Sequence, residues 1–259
     1  MNYNYHTHTF RCGHASGTEE EYIKRAIDCG IKYMGFADHA PLNFPEAKDL
    51  KFRVPVDKVE DYFSTLKALR EKYKDKIDLK FGFEMEYYPN IFEKMLADVK
   101  TFGAEYLILG EHFTVEEIPD SHEHSAAPND SVDKLKTYVN RIIEGTKTGA
   151  FTYIAHPDMI NFTGDLSIYK EEMRKICVCS REYNIPLELN CLGIRDNRHY
   201  PNNEFWQIAG EEQCPVTFGF DAHDVPSAYD GDSVIKAKEL VKKYNLNYIG
   251  KPEIILLQK

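Results

Sequence analysis

No stretch of this 259-residue chain reaches the ~18 consecutive apolar residues that a membrane-spanning helix needs. The first metal-seeking side chain is at position 6, which leaves no room for a removable signal peptide, so the cytoplasm is the expected location. The six cysteines (Cys12, Cys29, Cys177, Cys179, Cys191, Cys214) lack zinc-finger spacing, and a reducing compartment keeps them as thiols. Cys177 and Cys179, two apart in a helical stretch, do not face each other and read as packing residues. Positive charge is in deficit: 32 Lys and Arg against 42 Asp and Glu give a net charge of -10, which repels nucleic acid and anionic membranes. A small anionic substrate is not excluded, because a bound cation inverts the local charge. There is no G-x-S-x-G elbow, no P-loop, no linker, no low-complexity segment and no internal repeat.

What is present alternates. Short apolar runs rich in Tyr, Ile, Phe and Val are each followed by a charged segment of helical length. The runs are 33–40 (YMGFADHA), 79–87 (LKFGFEMEY), 104–113 (AEYLILGEHF), 151–157 (FTYIAHP), 185–190 (IPLELN) and 215–223 (PVTFGFDAH), after a short opening strand at 3–8. Helices are expected over 19–29, 58–73, 92–102, 132–146, 166–183, 203–212 and 233–244, the last with Val234, Ala237, Leu240 and Val241 at helical spacing. Ser131 and Ser167 are candidate N-caps. About seven βα units without a break predict a parallel sheet closed into a barrel, one domain over residues 1–259. Two longer connections, 41–56 and 115–129, have the length of functional or mobile loops.

The histidines fall in a pattern. His6 and His8, two apart on a strand, share a face. They end the first run; His39 ends the second; Glu84 lies in the third; His112 follows the fourth; His156 ends the fifth; Asp221 and His223 end the last. All sit at or just past the C-terminal ends of strands, the rim where a parallel barrel carries its active site. With His14 the set takes seven of the ten histidines, and His122, His124 and His199 lie in loops. The joint pattern predicts a metal centre. Asp38 and His39 are adjacent and point oppositely, so His39 is the expected ligand; Glu86 shares a face with Glu84 and is a candidate to orient a ligand. Glu111 reads as structural, Cys12 as a weak competitor for the ion, and His122 with His124 as part of a mobile surface or lid.

These residues spell H-T-H at 6–8, G-H at 13–14, D-H at 38–39, G-F-E at 82–84, G-E-H at 110–112, A-H-P at 155–157 and D-A-H at 221–223. In that order they resemble the polymerase and histidinol phosphatase (PHP) superfamily, and within it the stand-alone histidinol-phosphate phosphatases. The resemblance implies a distorted (β/α)7 barrel and up to three divalent ions. It implies one ion held by His6, His8, Glu84 and Asp221, a second by Glu84, His112 and His156 with Glu84 bridging, and a third by His14, His39 and His223. Such ligands suit zinc, manganese or iron.

A cluster of this kind lowers the pKa of a bound water and neutralises phosphoryl oxygens during in-line attack, so no covalent nucleophile is needed. A phosphate monoester also calls for a cationic side chain. Arg195, in the stretch directly after the sixth strand and at the same rim, is preferred over Arg198 for binding phosphate, and its guanidinium fork matches two oxygens as a lysine cannot. The residues expected to carry the chemistry are thus Glu84, Asp221 and Arg195. Asp158 and Asp224 neighbour ligand positions and are candidates to orient a ligand or protonate a leaving group; Glu86 and Asp158 are candidates to receive a substrate ammonium. The substrate implied by the resemblance is L-histidinol phosphate, hydrolysed to L-histidinol and phosphate in histidine biosynthesis. Other small phosphomonoesters or nucleotides, or a non-catalytic accessory role, are the alternatives. Oligomeric state is not readable.

Overall fold

The computed structural model describes residues 1–44, 52–115 and 123–257. Parallel strands alternate with helices: β1 (Tyr3–Asn4), α1 (Glu19–Asp28), β2 (Tyr33–Phe36), α2 (Val59–Tyr73), β3 (Asp78–Met85), α3 (Phe92–Phe102), β4 (Tyr106–Leu109), α4 (Val132–Lys147), α5 (Leu166–Tyr183), β5 (Leu187–Asn190), α6 (Cys191–Arg195), α7 (Asn203–Glu211), β6 (Pro215–Gly219), α8 (Gly231–Lys243) and β7 (Asn247–Tyr248). The strands form two ladders, β1-β2-β3-β4 and β5-β6-β7, all parallel. Single bridges join them into a ring. Ile154, in the fifth apolar run, pairs with Leu109 on one side and Leu187 on the other, and Thr7 pairs with Ala222 to close the circle. This is the expected distorted (β/α)7 barrel, with β7 as a short extra strand beside the lower end of β6.

The helices start where capping chemistry permits. Thr18 and Glu21 form a capping box at α1, and Ser131 caps α4 as expected. At α5 the cap is Asp165 rather than Ser167, because the Asp165 carboxylate accepts from the amides of both Ser167 and Ile168. Cys177 and Cys179 are buried packing residues of α5, and all six cysteines are free. The stretch after the sixth run, read as a loop, contains the short helix α6, capped by Asn190. Among the described residues no helix is long and apolar enough to cross a membrane.

The main core lies between the strands and the outer helices and runs from Tyr22 to Leu246. Inside the barrel the filling is different: Tyr3, Tyr5, Tyr106 and Tyr153 pack with Ala37, Ile108 and Ala155. The Tyr106 hydroxyl donates to the carbonyls of Tyr5 (2.8 Å) and Phe36 (3.2 Å), so an aromatic body fills the lumen while its polar tip is satisfied. Ile254 packs against this interior from the chain's last segment, which is tied to the strands by the Leu257 amide donating to the Glu105 carbonyl. The lumen of the lower barrel is therefore filled by side chains.

One buried contact ties an outer helix to that rim. Asp158, two residues after His156, accepts from the Asn202 amide (2.6 Å) and the Trp206 indole (2.9 Å) at the start of α7. Burial pushes its carboxyl up to about 7, against the donors that hold it down. Asp158 is thus turned into the protein. Trp206→Phe should cost about 2–4 kcal/mol, from the lost charge-assisted bond and the smaller ring. Trp206 is the one tryptophan of the chain, so urea denaturation followed by circular dichroism is the suitable measurement. A loss below about 1 kcal/mol would show that this contact does not anchor α7.

Candidate metal centre

At the rim the strand ends deliver their polar residues to one point. Thr7 pairs with Ala222, so its neighbours His6 and His8 both turn inward. His39 lies opposite Glu84 in the ladder between the second and third runs. His156 and Asp221 have positive φ (30° and 47°), a left-handed conformation that non-glycine residues adopt only when their surroundings enforce it. Here it bends the chain at two strand ends so that both side chains face the cluster.

Glu84 is central and almost fully buried. Its Oε2 is 3.4 Å from His6 Nε2, His8 Nε2 and His39 Nδ1. Its Oε1 is 2.8 Å from His156 Nε2 and 3.4 Å from His112 Nε2. Asp221 Oδ1 lies 3.5 Å from His6 Nε2, 3.4 Å from His8 Nε2 and 3.3 Å from His223 Nδ1. Among the described residues five triplets have ligand atoms within 4.8 Å of one another, and four of them lie among the expected ligands: His6, His8 and Asp221; His6, Glu84 and His156; His39, Glu84 and His112; His8, His39 and His223. Eight of the nine expected positions therefore meet at one place, and His14 adjoins them. His14 is the outermost, exposed, with Nε2 2.9 Å from His223 Nε2. His39 stands between His8, His223 and Glu84 rather than beside His14 alone.

The donor set fits cations. Nitrogen faces nitrogen at 3.1 Å between His6 and His8 Nε2, an arrangement that needs a positive charge or a shared proton. Glu84 Oε2, Asp221 Oδ1, His39 Nδ1 and His156 Nδ1 are buried without a hydrogen-bond partner, although such atoms are nearly always satisfied. Burial by itself would raise the Glu84 and Asp221 carboxyls, but the surrounding imidazoles hold both well below the usual carboxylate range. Conversely, burial would push His112 down, and Glu84 with Glu86 lifts it to about 9. His39 and His223, where burial dominates, are driven down, His223 to about 3. Metals bind ionised carboxylates and neutral imidazoles, so an ion would displace the protons that the nearby carboxylates favour on His6, His8 and His112.

The neighbours are engaged elsewhere. Glu86 accepts from His112 Nδ1 (2.7 Å) and from Arg53 Nη2 (2.6 Å), so it orients a ligand and is unsuited to a substrate ammonium. Asp38 points away from His39 and accepts from the amide and hydroxyl of Thr9 (2.7 and 2.9 Å). Cys12 Sγ and Asp38 do group with His8 within 4.8 Å, but the Cys12 thiol donates to the Thr9 carbonyl at 3.1 Å. Glu111 is structural: it accepts from Arg141 (3.0 Å), and burial raises its carboxyl to about 8. His199 contacts the Met159 carbonyl at 2.6 Å. His122 lies outside the described residues, whereas His124 packs on Phe113 and borders the site.

Above the cluster opens a cavity of about 530 Å³. Arg195, the last residue of α6, and Arg198 both line it. Arg195 Nη1 is 3.3 Å from Asp230 Oδ2, and Arg198 donates to the Tyr200 hydroxyl (3.0 Å) and to Asp196 (3.1 Å). Phe52, Phe113 and His124 line the cavity on the side of the second and fourth runs, and Asp224 also borders it. The sequence reading missed Arg53, Glu188 and Asn190. Glu188 donates nothing but accepts from His6 Nδ1 at 2.8 Å, and its signal was a lone carboxylate alternating with leucines in L-E-L-N.

Fold and cluster together define a (β/α)7 barrel equipped to hold cations at the C-terminal rim of its strands. The chain belongs to the PHP domain family, whose profile matches residues 4–191. It is 26% identical to a probable histidinol-phosphatase of Deinococcus radiodurans, over 84% of this chain and 85% of that one. It is 25% identical to the histidinol-phosphatase of Bacillus subtilis, over 87% and 96% of the two chains. Its backbone is similar to that of histidinol phosphate phosphatase from Lactococcus lactis, crystallised with zinc, L-histidinol and phosphate: TM-score 0.72, 19% identity, 95% of each chain. That last likeness speaks for the fold.

The glycine of the G-E-H motif has a steric reason. A Cβ on Gly110 would lie 2.7 Å from Glu84 Cδ and 2.8 Å from its Cγ, inside van der Waals contact. Gly110→Ala should therefore displace Glu84 and lower metal uptake at least ~10-fold while the far-ultraviolet spectrum is kept. Elemental analysis after dialysis against manganese or zinc is the check, and full retention would mean that Glu84 can move without loss.

Proposed function

We propose that this chain is a metal-dependent phosphomonoesterase that hydrolyses L-histidinol phosphate to L-histidinol and inorganic phosphate, acting as one domain over residues 1–259. The observation that carries the reading is the placement of two arginines and a nine-residue histidine–carboxylate cluster on one cavity. The names of the curated relatives supply the substrate. In this reading His6, His8, His14, His39, Glu84, His112, His156, Asp221 and His223 hold two or three divalent ions, with zinc, manganese and iron as candidates. When bound, such ions supply Lewis-acid activation of water and charge neutralisation at the phosphoryl group.

The chain's own residues do the rest. Glu84 offers one oxygen to each half of the cluster and so joins them. Asp221 adds the second carboxylate on the side of His6 and His8. Arg195, fixed by Asp230 and by the Asp221 carbonyl at 3.5 Å, presents its fork to phosphoryl oxygens, and Arg198 stands beside it as a second contact. Phe52, Phe113 and His124 offer a flat wall to an imidazole ring. A cytoplasmic location belongs to this reading, supported by six free thiols.

Two measurements test it. Protein prepared without chelator, or reconstituted with manganese, iron and zinc in turn, should hold two or three ions per chain by elemental analysis; one ion or none overturns the polynuclear reading. An assay panel should show histidinol phosphate preferred over nucleotides and an aryl phosphate by at least ~100-fold in kcat/KM, and a preference for nucleotides would redirect the assignment. Within that assay Arg195→Ala should raise KM and lower kcat, costing about 2–4 kcal/mol in kcat/KM with metal content unchanged. Arg195→Lys should recover part of the loss, and Arg198→Ala should lose less. If neither arginine matters, this rim does not bind phosphate.

A further inference from the structure

Two residues of β5, Glu188 and Asn190, face the barrel interior under the cluster, as residues two apart on a strand must. Both are buried, and each makes several bonds to site residues. Glu188 Oε1 accepts from His6 Nδ1 at 2.8 Å. Glu188 Oε2 accepts from the His156 amide (3.1 Å), at the residue whose φ is positive, and from Asn190 Nδ2 (2.9 Å). Asn190 Nδ2 reaches Asp221 Oδ2 at 3.1 Å, while Asn190 Oδ1 accepts from the Gly193 amide and so caps α6, the helix that ends in Arg195. One carboxylate and one amide thus connect His6, His156, Asp221 and the arginine helix.

Room for that carboxylate is made across the sheet. Gly219 ends β6, the strand hydrogen-bonded to β5, and a Cβ there would lie 2.6 Å from Glu188 Cδ. Any larger residue at 219 would push Glu188 off His6.

The bond to His6 has a chemical consequence. In the neutral ring, a proton donated from Nδ1 to a carboxylate stays on that nitrogen and leaves the lone pair on Nε2, the atom that faces Glu84 and Asp221. Glutamate can accept from His6 and from the His156 amide at the same time because both of its oxygens are acceptors. Glutamine cannot: one end accepts and the other donates. Its NH2 would either face the His156 amide or donate to His6 Nδ1 and move the imidazole proton to Nε2, where it blocks the ligand lone pair.

We infer that Glu188, seated in the gap left by Gly219, is a positioning residue that sets the tautomer of His6 and holds the bent backbone at His156, and through them determines how tightly the cluster binds cations. This rests on the metal-centre reading above, but on no particular substrate. The test is a competition titration of the metal-free full chain with manganese or zinc against a chromophoric chelator. Glu188→Gln should weaken metal binding about 10- to 100-fold. At saturating metal most of kcat should return, since Glu188 touches no reacting atom. The melting temperature of metal-free protein should stay near that of the parent while its rise on adding metal shrinks; a purely structural residue would do the reverse. Gly219→Ala keeps the charge but displaces it, and should weaken metal binding in the same range. If the parent binds metal and both variants bind it equally, the inference falls alone. If the parent takes up no ion, the metal-centre reading falls and takes this with it. If neither variant folds, Glu188 is a folding residue and not a positioning one.

Discussion

The structure depends on the electrostatics of one buried carboxylate. Glu84 is about as inaccessible as a side chain can be, yet it is held ionised, because five imidazoles surround its two oxygens. An isolated carboxylate at that depth would take up a proton. Its charge survives because imidazoles, those of His112, His6 and His156 foremost, converge on it from the segments following β1, β4 and Ile154. A closed parallel barrel is a means of achieving this, since every strand ends at the same rim and each can contribute one residue. The rim is polar by necessity, and the tyrosine-filled lumen beneath it is a solid support rather than a channel.

Around that carboxylate the protein has spent its local freedom on aim. Gly110 leaves space for Glu84, and Gly219 leaves space for Glu188. Left-handed backbone at His156 and Asp221 turns two strand ends inward. Glu86 orients His112 and is itself gripped by Arg53, whose other nitrogen donates to the Ala40 carbonyl at 2.8 Å. His6 is likewise tied to Glu188 of β5 and His112 to Glu86 just past β3, so the cluster is a property of the closed ring and not of any one segment. The same ring carries the phosphate-facing arginines, because α6 is capped by a residue of β5 that also touches Asp221.

Much of this was readable before any coordinates. Apolar runs alternating with charged segments of helical length located β1 to β6, the run around Ile154 and most of the helices, and the placement of His6, His39, His112, His156 and His223 at the ends of runs marked the rim. These features are local, or repeat with a fixed period, and so survive in a linear string. The cap of α5 was misread by two residues because several small polar residues there can all accept from a helix N-terminus. Helix α6 and strand β7 are too short for any periodicity to register.

The sequence by itself determined the βα order, the C-terminal-edge position of eight candidate ligands and the family to which the chain belongs. Only the tertiary structure decided that Ile154 bridges the two ladders, that Asp158 turns inward to Trp206, that Asp38 faces Thr9 while His39 faces Glu84, and that Glu188 and Arg53 stand behind the histidines. The physical reason is distance along the chain. His6 and Glu188 are separated by 182 positions. A hydrogen bond between them leaves no periodic trace, and it exists only once barrel closure has brought the first strand beside β6 and so within reach of β5.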